Sequence, residues 1–129
     1  MDIFETIGYI LLNNTDITDV VGANIYHGLR PVSGDPCINY FEVGGYELLA
    51  NNSYEQTRYQ ISCRATTAGT AQDLARMICV LFQDMRKGYN NFGVQMVTVE
   101  NKMLLPEPDT DLYHVPVDIR ILYSSDQVS

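Results

Sequence analysis

Apolar and polar positions alternate and then shift to helical spacing along the stretch from Tyr54 to Gly88. In its first part Tyr59, Ile61, Cys63 and Ala65 fall on one side, and Gln56, Arg58, Gln60, Ser62 and Arg64 on the other. A period of two predicts a half-buried strand over 54–65. Leu74, Met77, Ile78, Leu81, Phe82 and Met85 then recur at a period near 3.6, which predicts an amphipathic helix. Thr70 is the expected N-cap of that helix and Gly88 its stop.

The same patterning organises the rest of the chain. Ile3, Phe4, Ile7, Ile10 and Leu11 share a helical face, and Asp2 followed by Glu5 resembles a capping box, so a helix is expected over 3–13. A second short turn starts at Thr15 and ends at Gly22. Residues 24–28 read as a brief strand, followed by a loop broken by Pro31, Gly34 and Pro36. Residues 37–43 are apolar on both faces, as in a central strand. Residues 44–53 read as a turn or extended loop, and 92–99 as another strand. The segment 100–111 is broken by Pro106 and Pro108. In the last strand Tyr113, Val115, Val117, Ile119, Ile121 and Tyr123 alternate cleanly, while Pro116, which has no N–H, predicts an edge position or a bulge. Residues from about 124 onward read as a frayed tail. The chain is therefore expected to be one α+β domain over 1–129: a four- to five-stranded, mainly antiparallel sheet with two helices packed on one face. The short links around the long helix favour neighbouring positions for the strands before and after it.

Composition narrows the function more than the fold. Sixteen acids against eight bases give a formal charge of −8, and no basic stripe interrupts it. Tight binding to a phosphate backbone is not expected, although an acidic surface that DNA slides past is compatible with it. Cys37, Cys63 and Cys79 show no metal or redox spacing and read as reduced, buried thiols of a cytosolic product. The first apolar run follows Asp2 and Glu5 rather than bases, so no secretory signal is expected. No apolar run approaches the ~18–20 residues of a bilayer span, and no membrane partner is expected.

Chemistry is thinly represented. His27 and His114 are the only histidines, and no serine or cysteine is placed by motif for either to activate. Glu107, Asp109 and Asp111 superficially resemble a calcium loop but lack its glycine and distal glutamate. Gly44–Gly45 has no phosphate-loop context. No catalytic residue, metal site or cofactor is expected.

Two surfaces remain. Tyr46, Leu48 and Leu49 lie among flexible residues, either as a docking tip or folded over the core as a lid. The polar strand face meets either water or a neighbouring subunit, and Arg58, Arg64 and Arg120 are three of only eight bases.

Four segments carry a resemblance: IYHGLRP, PCINYFEV, TRYQISCRATTAGTAQDLARMICVLF and DLYHVPVDIRILY. In this order they resemble the tail-completion, or tail-terminator, family of long-tailed bacteriophages over about residues 3 to 123. The likeness rests most on Arg58, Gln60, Ala65, Ala71 and Leu74, with Asp111, Tyr113 and Asp118 also similar. It implies a small α+β subunit forming a hexameric ring in the virion, at the head-proximal end of the tail, assembled in the host cytoplasm. Such a ring caps the tail tube, stops its polymerisation and joins the head connector, with DNA passing through its lumen. Our candidates for the subunit interface are Arg58, Gln60, Arg64, Asp118 and Arg120. Those for tube or connector docking are Tyr46, Leu48, Leu49, Leu104, Leu105 and Glu107. The alternatives are a neck or head-completion protein that binds the connector, and a small enzyme or ligand-binding domain using His114 with Asp118 or Asp111.

Overall fold

The computed structural model describes residues 3–28, 36–43, 47–48, 55–83, 85, 87–89, 92–102, 104–107 and 112–124. Helix α1 (Ile3–Leu12) buries Ile7, Ile10 and Leu11, the spacing of one helical face. Helix α2 (Thr15–Val21) begins where the Asn14 side chain accepts a hydrogen bond from the Ile17 N–H at 3.1 Å. It ends at Gly22, whose φ of 60° suits glycine and whose N–H donates to the Thr18 carbonyl. The short turn expected here is a helix in its own right.

Helix α3 (Ala68–Phe82) buries Ala71, Leu74, Ala75, Ile78 and Phe82. Two of its expected boundaries move. Thr67, not Thr70, is the N-cap: its backbone is extended, and its side chain accepts from the Thr70 N–H at 3.2 Å. The helix ends at Phe82, because Gln83 leaves helical geometry while its N–H still bonds the Cys79 carbonyl. Met85 continues the apolar stripe only on paper, since it reaches the core through a turn. Gly88 lies in strand β5 (Lys87–Tyr89).

The strands are β1 (Ile25–His27), β2 (Cys37–Glu42), β3 (Glu47–Leu48), β4 (Glu55–Ala65), β5, β6 (Phe92–Lys102), β7 (Leu105–Glu107) and β8 (Leu112–Ser124). They form one sheet in the order β1-β2-β4-β8-β6-β5, with β3 added to β4 and β7 added to β8. The β1–β2 pair is parallel, and the other pairs are antiparallel. The α+β class holds, with a mixed sheet and a third, short helix. Part of the segment expected as a loop over 44–53 is β3, paired with Gln56 and Glu55.

The placement of β8 departs from expectation. It is central, inserted between β4 and β6, so the strands flanking α3 are not neighbours. Val115, Val117 and Ile119 are at most 1% exposed, and so apolar an inner face requires cover that an edge position lacks. Pro116 is tolerated because β8 changes partners beside it: β7 pairs as far as His114, and β6 takes over from Val117. The ladder on that side is already interrupted where the N–H is missing.

All three helices join one core with the inner face of the sheet. Tyr59, Ile61, Cys63 and Ala65 of β4 belong to it, as the alternation requires. Burial pushes the Cys63 thiol above its ordinary value, and Cys79 and Cys37 add to the effect. It therefore stays protonated and acts as a small hydrophobe.

Candidate functional site

The face of the sheet turned away from the helices carries the polar residues of β4 and β8. Register sets Arg58 opposite Arg120, Gln60 opposite Asp118 and Arg64 opposite His114. Four of the five interface candidates thus stand in two adjacent cross-strand pairs, and Arg64 lies further along the same ladder. Like charges directly opposite each other disfavour an antiparallel pair. The Arg58–Arg120 rung therefore makes this face attractive to carboxylates. Asp118 lies beside it, its buried Oδ1 without a hydrogen bond.

This face is not simply a wetted one. Ser62 and Cys37 are fully buried and Asn39 nearly so, although none belongs to the helix-side core. Gln60 donates from Nε2 to Ser62 Oγ at 3.0 Å. Arg64 donates from Nη1 to Asn39 Oδ1, and Asn39 Nδ2 donates to the Gly28 carbonyl at 2.9 Å. Gly28 has a φ of 89°, which suits glycine, and its N–H bonds the Tyr40 carbonyl. Arg64 consequently ties β4 to β2 and to the end of β1. Removing it strands a buried amide oxygen, so Arg64→Ala is expected to cost about 1–2 kcal/mol of stability. Arg58→Ala, at an exposed position, is expected to change it by less than about 0.5 kcal/mol. Urea unfolding of the two variants checks the difference.

The docking candidates separate into two groups. Leu48 lies in β3 opposite Glu55, at one end of the β4–β8 ladder. Leu105 and Glu107 lie in β7 opposite His114 and Leu112, at the other end. The ladder runs from Glu55–Tyr123 to Ala65–Tyr113, roughly 33 Å at strand rise. Leu105 is 39% exposed, whereas Leu104 is half-buried against the core. Tyr46 and Leu49 lie outside the described residues.

His114 and Asp118 share a face but stand four residues apart on one strand, roughly 13 Å, beyond hydrogen-bond reach. Asp111 lies outside the described residues. His27 stacks on Phe4 at 4.2 Å and tilts against Tyr40, which fastens α1 to the β1–β2 edge. Among the described residues no group of acids, histidines and cysteines is placed to hold a metal, and no helix is long and apolar enough to cross a membrane.

Sequence reasoning passed over one feature of the helix layer. Asn14, Asp16, Arg76, Met77, Val80 and Leu81 line an open groove of about 420 Å³ between the start of α2 and α3. Val80 is 75% exposed. The available signal was an apolar residue standing off the buried stripe of its helix.

The sequence model described as "Tail completion protein gp17" matches residues 8–124. The chain belongs to that family. Membership in the tail completion family makes it a structural protein of the phage tail. Its fold is also that of a chain in the solved "Virion of native gene transfer agent (GTA) particle", with a TM-score of 0.78. That match covers 93% of this tail completion protein and 92% of the other chain, at 11% sequence identity. Comparison with curated proteins returned no match.

Proposed function

We propose that this tail completion protein forms a ring, hexameric in the assembled tail, that caps the tail tube, ends its polymerisation and joins the tail to the head connector. The observation that carries this reading is the separation of β3 and β7 at opposite ends of the β4–β8 ladder. A subunit that spans the wall of a ring needs two axial ends, one for the tube and one for the connector. Leu48 belongs to one end, and Leu105 and Glu107 to the other. Arg58, Gln60, Asp118 and Arg120 supply lateral contacts. Six copies at −8 each repel, and bases at the lateral contacts offset part of that repulsion. The same acidity lets DNA pass through the lumen without adhering.

Native mass spectrometry of the chain, alone and with tail tube protein, tests the proposal. The expected result is hexamers, or monomers that become hexamers on the tube. A strict monomer under both conditions removes the reading. Capture by connector protein but not by tube protein would assign the chain to the neck instead.

A further inference from the structure

Where side chains are described, the two broad faces of the subunit carry opposite charge. Among the described side chains the helix layer has Glu5, Asp16, Asp19 and Asp73 against Arg76 alone, and the outer sheet face has Arg58, Arg64 and Arg120 against Asp118. Arg76 is already bound to Asp73 at 2.9 Å. Asp16 and Asp19, both exposed and three residues apart on α2, form no ion pair among the described residues. Asp16 borders the groove in which Val80 stands exposed. An apolar centre with a charged rim is the anatomy of a protein interface. The outer sheet face offers the complement, with half-buried Phe41 and Leu122 beside the Arg58–Arg120 rung.

We infer that the α2–α3 groove of one copy receives the outer sheet face of the next, with Asp16 and Asp19 meeting Arg58 and Arg120 around Val80. This rests on the ring reading and gives it a specific lateral contact. Pairing like faces would set arginines against arginines or aspartates against aspartates. The charge pattern therefore favours a head-to-tail contact, which generates rings when its rotation closes.

A pair of charge-reversed chains tests this. One carries Arg58→Glu with Arg120→Glu, the other Asp16→Lys with Asp19→Lys. Alone, each sets like charges against each other and is expected to lose the oligomer that the wild type forms. Mixed one to one, every contact becomes complementary if the two variants alternate. The mixture should therefore assemble with equal numbers of both, read by native mass spectrometry. An oligomer formed by either variant alone at the wild-type level overturns the inference and leaves the ring reading standing. So does a mixture that stays monomeric while both variants keep wild-type circular dichroism. A wild-type chain that stays monomeric with and without tube protein removes both. Should a reversal unfold the subunit, Arg58→Gln with Arg120→Gln and Asp16→Asn with Asp19→Asn carry the comparison, each expected to weaken the oligomer. An unweakened oligomer in either pair overturns the contact.

Discussion

Phe82→Ala is expected to lower the unfolding free energy by about 3–5 kcal/mol. Phe82 is 1% exposed and is among the largest fully buried side chains. It closes α3, one residue before the backbone turns away at Gln83. Truncation removes the ring from the core and leaves a cavity where α3 meets the sheet. Backbone collapse cannot fill it readily, because the helix is held by Thr67 at one end and by the Gln83 N–H at the other. The whole domain holds only about 5–15 kcal/mol, so the variant should unfold at much lower urea, with an unchanged slope if it remains two-state. Val80→Ala makes the control on the same helix. At 75% exposure Val80 should contribute less than about 0.5 kcal/mol to stability. Its expected effect is on assembly.

Gly8→Val is expected to cost about 3 kcal/mol, the upper end of overpacking. Gly8 is buried on α1, and a β-carbon built there falls well inside contact distance of the Tyr40 hydroxyl. Tyr40 has little freedom to yield, since it is 5% exposed on β2 and packs against His27. Its hydroxyl is also held protonated, because burial and then the nearby Glu5 push its pKa above the ordinary value. Helix propensity runs the other way, favouring residues other than glycine by up to about 1 kcal/mol, and does not offset the clash. The cause is testable by a double-mutant cycle. In a Tyr40→Phe background the obstructing oxygen is gone, so Gly8→Ala should become neutral or stabilising. Equal effects of Gly8→Ala in both backgrounds would show that the close approach is not what sets the cost.

Which residues face the core could be read from the chain, because periodicity is local. The alternation of Tyr59, Ile61 and Cys63, the strict pattern from Val115 to Tyr123, and the Leu74–Ile78–Phe82 stripe all turn inward as expected. Gly22 ends its helix for the reason its type suggested. Partner choice was not legible. Alternation says which side chains share a face but not which strand lies alongside, so the insertion of β8 between β4 and β6 was missed. The same limit hid Ser62 and Asn39, polar residues on the outer face that are buried and satisfied by Gln60 and Arg64. Arg64 illustrates the point for the candidate site. Its position on the polar face was evident, but its bond to Asn39 depends on a register between strands more than twenty residues apart.

The central position of β8 has a consequence for how the subunit is made. It is the last of the described elements in chain order, yet it supplies the middle strand on which β4 and β6 both pair. During synthesis β4, α3 and β6 leave the ribosome without the strand that joins them, and their apolar faces wait for it. Pairing β4 with β8 across so long a sequence separation raises the contact order and slows this closure relative to a locally connected sheet. A chain cut short before residue 112 lacks the centre of its sheet. It should be cleared by proteases rather than enter a growing tail as a defective part.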